Sequence, residues 1–101
     1  MQFIGERDGA AEDDLKRRLR PLLRRMEGVI RAYLPRVEHP APREYVLAVF
    51  GSLGYSDTSA LLDAFSEIFS PGDRLNIVTL SGPESRDLQG ICPAFYERAE
   101  A

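Results

Sequence analysis

Residues 15–26 have the sequence LKRRLRPLLRRM, in which apolar residues recur every three or four positions among bases. At about 100° per residue, one third of a helix circumference is apolar, made up of Leu15, Leu19, Leu22, Leu23 and Met26. The six bases from Lys16 to Arg25 cover the rest. The pattern predicts an amphipathic helix over residues 12–28, capped by Asp13 or Asp14, with its leucines buried, its bases in water and a kink at Pro21.

The segments around this helix predict strands and one more helix. β-Branched and aromatic residues predict four strands, at residues 2–4, 29–37, 44–50 and 75–80. A second apolar stripe predicts a helix over residues 57–69 that begins at Ser56 or Asp57. Residues 81–89 show little pattern, and the apolar groups of residues 91–96 are expected to dock on the body.

The order β-α-β-β-α-β predicts one α+β domain spanning residues 1–101. Right-handed crossovers turn that order into a two-layer sandwich, with two helices on one mainly antiparallel four-stranded sheet, the ferredoxin-like arrangement, plus a docked C-terminal tail. In that topology the first strand is central and the second is an edge. Pro35 agrees with an edge, because proline cannot donate to a strand ladder.

Composition places the chain among ordinary globular domains. With 44% hydrophobic and 29% charged residues it lies far from the disordered regime. The single cysteine, Cys92, cannot form an internal disulfide, and the start of the chain has no signal-peptide pattern. No apolar run approaches the length of about 20 residues that spans a bilayer. We therefore expect a cytoplasmic protein without a membrane segment.

Charge is distributed unevenly along the chain. The formal net charge is -3, yet seven of the thirteen bases lie between Lys16 and Arg31, where Glu27 is the only acid. A basic helix face on a domain that is acidic elsewhere is typical of a solvated face or of a surface that binds another protein. Nucleic acid is a weaker expectation, because no aromatic residues alternate with these arginines. The expected contact residues are Arg17, Arg20, Arg24 and Arg25, with a rim around Tyr33 and Tyr96.

Other candidate sites have weaker support in the sequence. The turn Gly51–Gly54 could hold a phosphate, but it lacks a lysine and Asp57 would repel the ligand. His39 has no companion ligands, and Cys92 is best explained as a small buried residue. Glu38 and Glu44 flank a turn at no spacing that acid–base chemistry requires. The sequence therefore predicts no catalytic residue, metal or cofactor.

The run Gly28-Val29-Ile30-Arg31-Ala32-Tyr33-Leu34 and the closing Pro93-Ala94-Phe95-Tyr96-Glu97-Arg98 resemble the C-terminal domain of the SseB (enhanced serine sensitivity) family. The resemblance covers Phe3 to Arg98 and implies a bacterial cytoplasmic protein, with no settled catalytic or binding residues to carry over. Members commonly carry another domain ahead of this one, so a stand-alone form or part of a longer protein is expected. Asn76 departs from the family, in which an acidic residue is common at that position.

Three functions follow as expectations. The first is a non-enzymatic protein-binding or regulatory module. The second is a sensor of an amino acid or phosphorylated metabolite, or a minor enzyme, with a pocket formed by strand three, the Gly51–Ser56 turn and the tail. The third is a homodimer formed through an edge strand at Ala32–Val37, blunted by Pro35.

Overall fold

The computed structural model describes residues 2–39 and 41–98. In chain order its elements are β1 (Phe3–Glu6), α1 (Ala10–Arg25), β2 (Val29–Tyr33), β3 (Pro35–Val37), β4 (Glu44–Gly51), α2 (Tyr55–Ile68), β5 (Arg74–Leu80), α3 (Gly82–Gln89) and β6 (Tyr96–Glu97). The predicted α+β class is confirmed. The ranges of α2, β4 and β5 match their predicted segments to within two residues.

The strands form two sheets. A four-stranded sheet has the order β5-β4-β2-β6, with β2 antiparallel to β4 and β6, and β4 parallel to β5. The helix α2 connects the two parallel strands, as a parallel pair requires. A separate two-stranded sheet pairs β1 with β3 antiparallel. The ferredoxin-like arrangement is wrong, because β1 lies outside the main sheet and β5 lies beside β4.

The predicted second strand divides at Leu34. Its carbonyl accepts a hydrogen bond from the Arg7 N–H at 2.9 Å, which directs the following residues toward β1. Pro35 then begins β3, where it pairs with Glu6. Because β2 lies between β4 and β6, the expected edge strand at Ala32–Val37 is wrong for Ala32 and Tyr33. Pro35–Val37 form β3, which in the described structure pairs with β1 alone and is an edge strand.

One face of the sheet is covered by α1 and α2. The leucines Leu15, Leu19 and Leu23 are fully buried and Met26 nearly so, which confirms these four members of the predicted stripe, whereas Leu22 is partly buried against the same core. They share a core with Val29, Ala32, Leu47 and Val49 of the sheet and with Leu61 and Phe65 of α2. The helix contains Pro21 on its exposed side and begins at Ala10 after Gly9, so the predicted caps Asp13 and Asp14 are wrong.

Lys16 departs from the prediction that the bases of α1 lie in water. Its side chain packs against the loop after β1 and is 5% exposed. The Nζ atom lies 3.0 Å from Glu6 Oε2 and 3.4 Å from Asp8 Oδ1. A buried ammonium requires such partners, since its desolvation is otherwise costly. Lys16 therefore attaches β1 to α1.

The opposite face of the sheet is covered by α3, a helix that the sequence analysis missed. Leu88 and Cys92 pack there against Tyr33, Ala48 and Leu80. A capping box begins the helix: Ser81 Oγ accepts from the Glu84 N–H at 3.3 Å, and Glu84 Oε1 accepts from the Ser81 N–H at 2.9 Å. The domain is therefore three-layered, and the predicted two-layer sandwich is wrong.

The tail docks as predicted and extends the sheet. Phe95 and Tyr96 are buried, and Tyr96 pairs with Ala32 in the ladder between β6 and β2. The Phe95 N–H donates to the Ala32 carbonyl at 3.0 Å, and the Arg98 N–H donates to the Ile30 carbonyl at 2.8 Å.

Candidate functional site

The exposed side of α1 carries four of the predicted contact residues. We define the basic surface as Arg17, Arg20, Arg24 and Arg25, all of which are exposed. Spacings of three and four residues place Arg17, Arg20 and Arg24 along one line of the helix. Arg25 adjoins Arg24 in the last turn, where cations are favoured by the helix dipole. The structure therefore brings these four guanidinium groups to one side of the domain.

Arg20 is held in place by the docked tail. Its Nε atom donates to the Phe95 carbonyl at 2.8 Å, and its guanidinium carbon lies 6.0 Å from the centre of the Phe95 ring. The burial of Phe95 therefore fixes the position of one cation of the basic surface. Neither feature is visible in the sequence, because 75 residues separate the two positions.

Arg98 adds a further cation that the sequence analysis did not single out. Its Nε donates to the Val29 carbonyl at 2.9 Å, and one terminal nitrogen donates to the carbonyls of Met26 at 2.7 Å and Arg24 at 3.3 Å. The carbonyls of Arg24 and Met26 lie at the C-terminal end of α1, where carbonyls lack partners within the helix, and Val29 begins β2. The charge of Arg98 therefore lies beside Arg24. No sequence motif marks this arrangement.

The arginines differ in how far their charge is already neutralised. Arg17 lies 3.5 Å from Asp14, both of them largely exposed, and Arg18 pairs with Glu67 of α2. Within residues 2–39 and 41–98, neither Arg24 nor Arg25 forms an ion pair through its side chain. The C-terminal half of α1 therefore offers the charge that is most available to a partner.

The two predicted rim tyrosines lie inside the molecule, and this part of the prediction is wrong. Tyr33 is 0% exposed and Tyr96 is 7% exposed. Tyr33 points to the α3 face of the sheet, whereas Tyr96 belongs to the core beneath α1 and α2. The predicted exposure failed because both strands lie within covered parts of the sheet, which their local sequence cannot indicate. Both residues act in packing.

The Gly51–Ser56 turn is closely packed against the start of β2. Gly51 has a φ of 130°, and a side chain there would collide with the Gly28 carbonyl, to which the Ser52 N–H donates at 2.9 Å. The Gly54 N–H donates to Asp57 Oδ2 at 2.9 Å. Two of the N–H groups that would hold an anion thus have internal acceptors. In addition, β2 separates β4 from the tail strand, so the three walls of the expected pocket do not adjoin.

Cys92 is fully buried, as the sequence predicts. Burial is the main cause that raises the pKa of its thiol to about 11, and the nearby carboxylate of Glu6 raises it further. A thiol with this pKa is almost entirely protonated at neutral pH and is therefore a poor nucleophile.

The remaining candidates do not form a cluster. Glu38 lies 3.7 Å from the exposed His39, whereas Glu44 accepts from the Asn76 side chain at 3.3 Å. In the part of the chain that the structure describes, no three His, Cys, Asp or Glu side chains are grouped closely enough to hold a metal ion. None of the described helices is long and apolar enough to cross a membrane.

Open grooves lie away from the Gly51–Ser56 turn. One, of about 520 Å³, runs between β1 and α3 and is lined by Gln2, Phe3, Glu84, Asp87, Leu88 and Ile91. Another, of about 420 Å³, is lined by Ile4, Arg7, Asp8, Glu12, Arg36 and Val37. In the second groove, the guanidinium group of Arg7 already has two partners. Its Nε atom lies 3.3 Å from Glu12 Oε2, and its guanidinium carbon lies 3.8 Å from the centre of the Tyr45 ring.

Comparison of the chain with family models, with curated proteins and with solved structures gives no match. The resemblance to the SseB domain therefore stays a prediction.

Proposed function

We propose that this domain is a non-enzymatic protein-binding or regulatory module resembling the SseB C-terminal domain, and that its basic surface contacts an acidic partner. One observation is the main support for this proposal. Leu15, Leu19 and Leu23 of α1 are fully buried, while Arg17, Arg20, Arg24 and Arg25 share its exposed side. A helix anchored in this way presents its charges on a rigid support, which lowers the entropic cost of binding.

The surroundings of the basic surface favour a protein over nucleic acid as the partner. The acids Asp14, Glu27 and Glu67 lie on or next to the same helix and would repel a continuous phosphate backbone. Phe95, the aromatic ring near Arg20, is buried and cannot stack on a base. A folded acidic protein can instead place its carboxylates opposite individual arginines.

A binding experiment with a defined probe tests the proposal. The probe is a fluorescent peptide of glutamate and aspartate, measured by anisotropy at low and moderate salt beside a DNA duplex. The test variant is Arg24→Glu/Arg25→Glu, because neither side chain forms an ion pair in the described structure. The matched control is Arg36→Glu/Arg86→Glu, which makes the same change in charge at two exposed arginines elsewhere.

The test variant should bind the acidic peptide at least about tenfold more weakly than the wild type, and the control should stay within about twofold. Binding of the wild type should fall with salt, because the contacts are exposed. Equal losses in both variants would overturn the proposal, as would tighter binding of the duplex than of the peptide.

The competing function, a sensor of an amino acid or phosphorylated metabolite or a minor enzyme at the Gly51–Ser56 turn, has less support because the Ser52 and Gly54 N–H groups are already bonded. Thermal melts against serine, related amino acids and phosphorylated metabolites distinguish the two functions. A ligand that binds the folded state raises the melting temperature with its concentration. A flat response across the panel supports the protein-binding module.

A further inference from the structure

The outer edge of β5 is unpaired in the described structure. The Arg74 N–H donates to the Arg43 carbonyl at 2.9 Å, which directs the backbone groups of Arg74 toward β4. Because these groups alternate in direction along a strand, those of Leu75, Ile77 and Thr79 face away from β4. Among residues 2–39 and 41–98 no strand lies along that side. Three residues of β5 thus present both an N–H and a C=O to solvent.

This edge has few of the features by which edge strands avoid pairing. From Arg74 to Leu80 the pairing with β4 has no bulge, and the strand contains no proline and no lysine. Its apolar residues Leu75, Ile77 and Val78 are only half-buried. A long, regular and largely uncharged edge is a template for a further strand.

We propose that two copies of this chain pair through their β5 edges, antiparallel and with Ile77 on the twofold axis. In this register Leu75 of one copy faces Thr79 of the other, so each copy donates three backbone hydrogen bonds through residues that have no such bonds alone. The half-buried Leu75 and Ile77 become covered at the same time. A twofold contact of this kind is closed and stops at a dimer.

Charge at the two ends of β5 favours a second copy as the occupant. Arg74 lies on the same face as Val78 and Leu80, the face on which α3 packs. The antiparallel register places Arg74 opposite Leu80 of the other copy, next to the Ser81–Glu84 start of its α3. Glu84 Oε1 caps the helix, and its second carboxylate oxygen can accept from Arg74. Symmetry makes this contact twice, with no like charges opposed.

The dimer is compatible with the basic surface. In the order β5-β4-β2-β6, β5 lies at the edge opposite β6, and Arg20 contacts the segment that leads into β6. Pairing through β5 extends the sheet across two copies and leaves both basic surfaces exposed. An acidic partner with two sites would then gain avidity from the pair.

Sedimentation equilibrium at micromolar and near-millimolar protein tests the proposal. The main variant is Thr79→Lys, which places a charge at an exposed position of the edge. The matched control is Ser59→Lys, which places the same charge at an exposed position of α2. A second variant, Arg74→Glu, reverses the end charge without changing a backbone bond. Circular dichroism melts establish that each variant is folded.

The wild type and Ser59→Lys should rise from 11.3 kDa toward twice that mass with concentration. The dissociation constant should increase at least about tenfold in Thr79→Lys and in Arg74→Glu. The amides of Leu75, Ile77 and Thr79 should gain protection from hydrogen exchange as the dimer forms. A mass of 11.3 kDa at every concentration overturns the proposal, as does a dimer that both variants leave intact.

Discussion

The hydroxyl oxygen of Tyr33 lies 2.7 Å from Ser85 Oγ, and both side chains are fully buried. The same hydroxyl lies 3.3 Å from the Ser85 carbonyl. This contact joins β2 to α3 across the face of the sheet opposite α1. It also explains why Tyr33, expected on a contact rim, is a packing residue.

Tyr33→Phe should lower the free energy of unfolding by about 1–2 kcal/mol, because the Ser85 hydroxyl loses its buried partner. The control Tyr96→Phe removes a hydroxyl that has no described hydrogen bond and should change stability less. Urea unfolding followed by circular dichroism measures both. Equal losses in the two variants would show that the contact with Ser85 contributes little.

Lys16→Ala should destabilise the domain more than Arg17→Ala. Removing Lys16 leaves Glu6 in a half-buried position without its cation. Breaking an exposed ion pair lowers the free energy of unfolding by about 0–1 kcal/mol, and breaking a fully buried pair lowers it by about 3–5 kcal/mol. We expect the loss for Lys16→Ala to lie between these ranges. Arg17 and Asp14 form an exposed pair, so Arg17→Ala should fall at the low end. Thermal melts measure the difference. A larger loss for Arg17→Ala would contradict the role given to Lys16.

Cys92 should react slowly with thiol reagents in the folded protein. Its pKa of about 11 leaves about 100-fold less thiolate at pH 8 than an ordinary thiol near 9, and burial adds a steric barrier. Because the folded pKa is raised, the stability linked to Cys92 should be complete below pH 9 and lost as the pH rises through about 11. Labelling with and without urea, together with melts at alkaline pH, tests both points. Equally fast labelling in the folded and unfolded chain would contradict the burial.

Gly51→Ala should strongly destabilise the domain, whereas Gly82→Ala should be neutral or slightly stabilising. Gly51 has a φ of 130° and its added side chain would strike the Gly28 carbonyl. Gly82 is the first residue of α3 and has open space around it. Alanine there should raise the free energy of unfolding by about 0.4–1 kcal/mol. Urea unfolding midpoints of the two variants give the comparison. A stable Gly51→Ala variant would show that the start of β2 can shift away from the turn.

Structural features that depend on a local sequence pattern could be predicted from the sequence. The leucine stripe of α1 and the strand β4 are such features, because burial on one face imposes a helical period and full coverage imposes an apolar run. The helix α3 was also locally marked, since Ser81 and Glu84 form a capping box around Pro83, but its single buried leucine, Leu88, gives no periodicity.

Pairing partners could not be predicted in the same way. Whether Ala32 and Tyr33 lie at an edge depends on the tail strand β6, which pairs with β2 from more than 60 residues away. The burial of Lys16 depends on Glu6 and Asp8, which the chain brings to α1 only because β1 joins β3 and not the main sheet. These placements follow from tertiary packing, which overrides local preference.

The central claim is that the C-terminal half of α1 is where an acidic partner binds. Proton–nitrogen correlation spectra that include the arginine side-chain Nε–H signals test it most directly, in a titration of the labelled protein with the acidic peptide. The signals of Arg24 and Arg25 should shift first and furthest, while those of Arg36 and Arg86 stay in place. Largest shifts at Arg36 or Arg86, or no shifts at α1 when the peptide is bound, would contradict the claim.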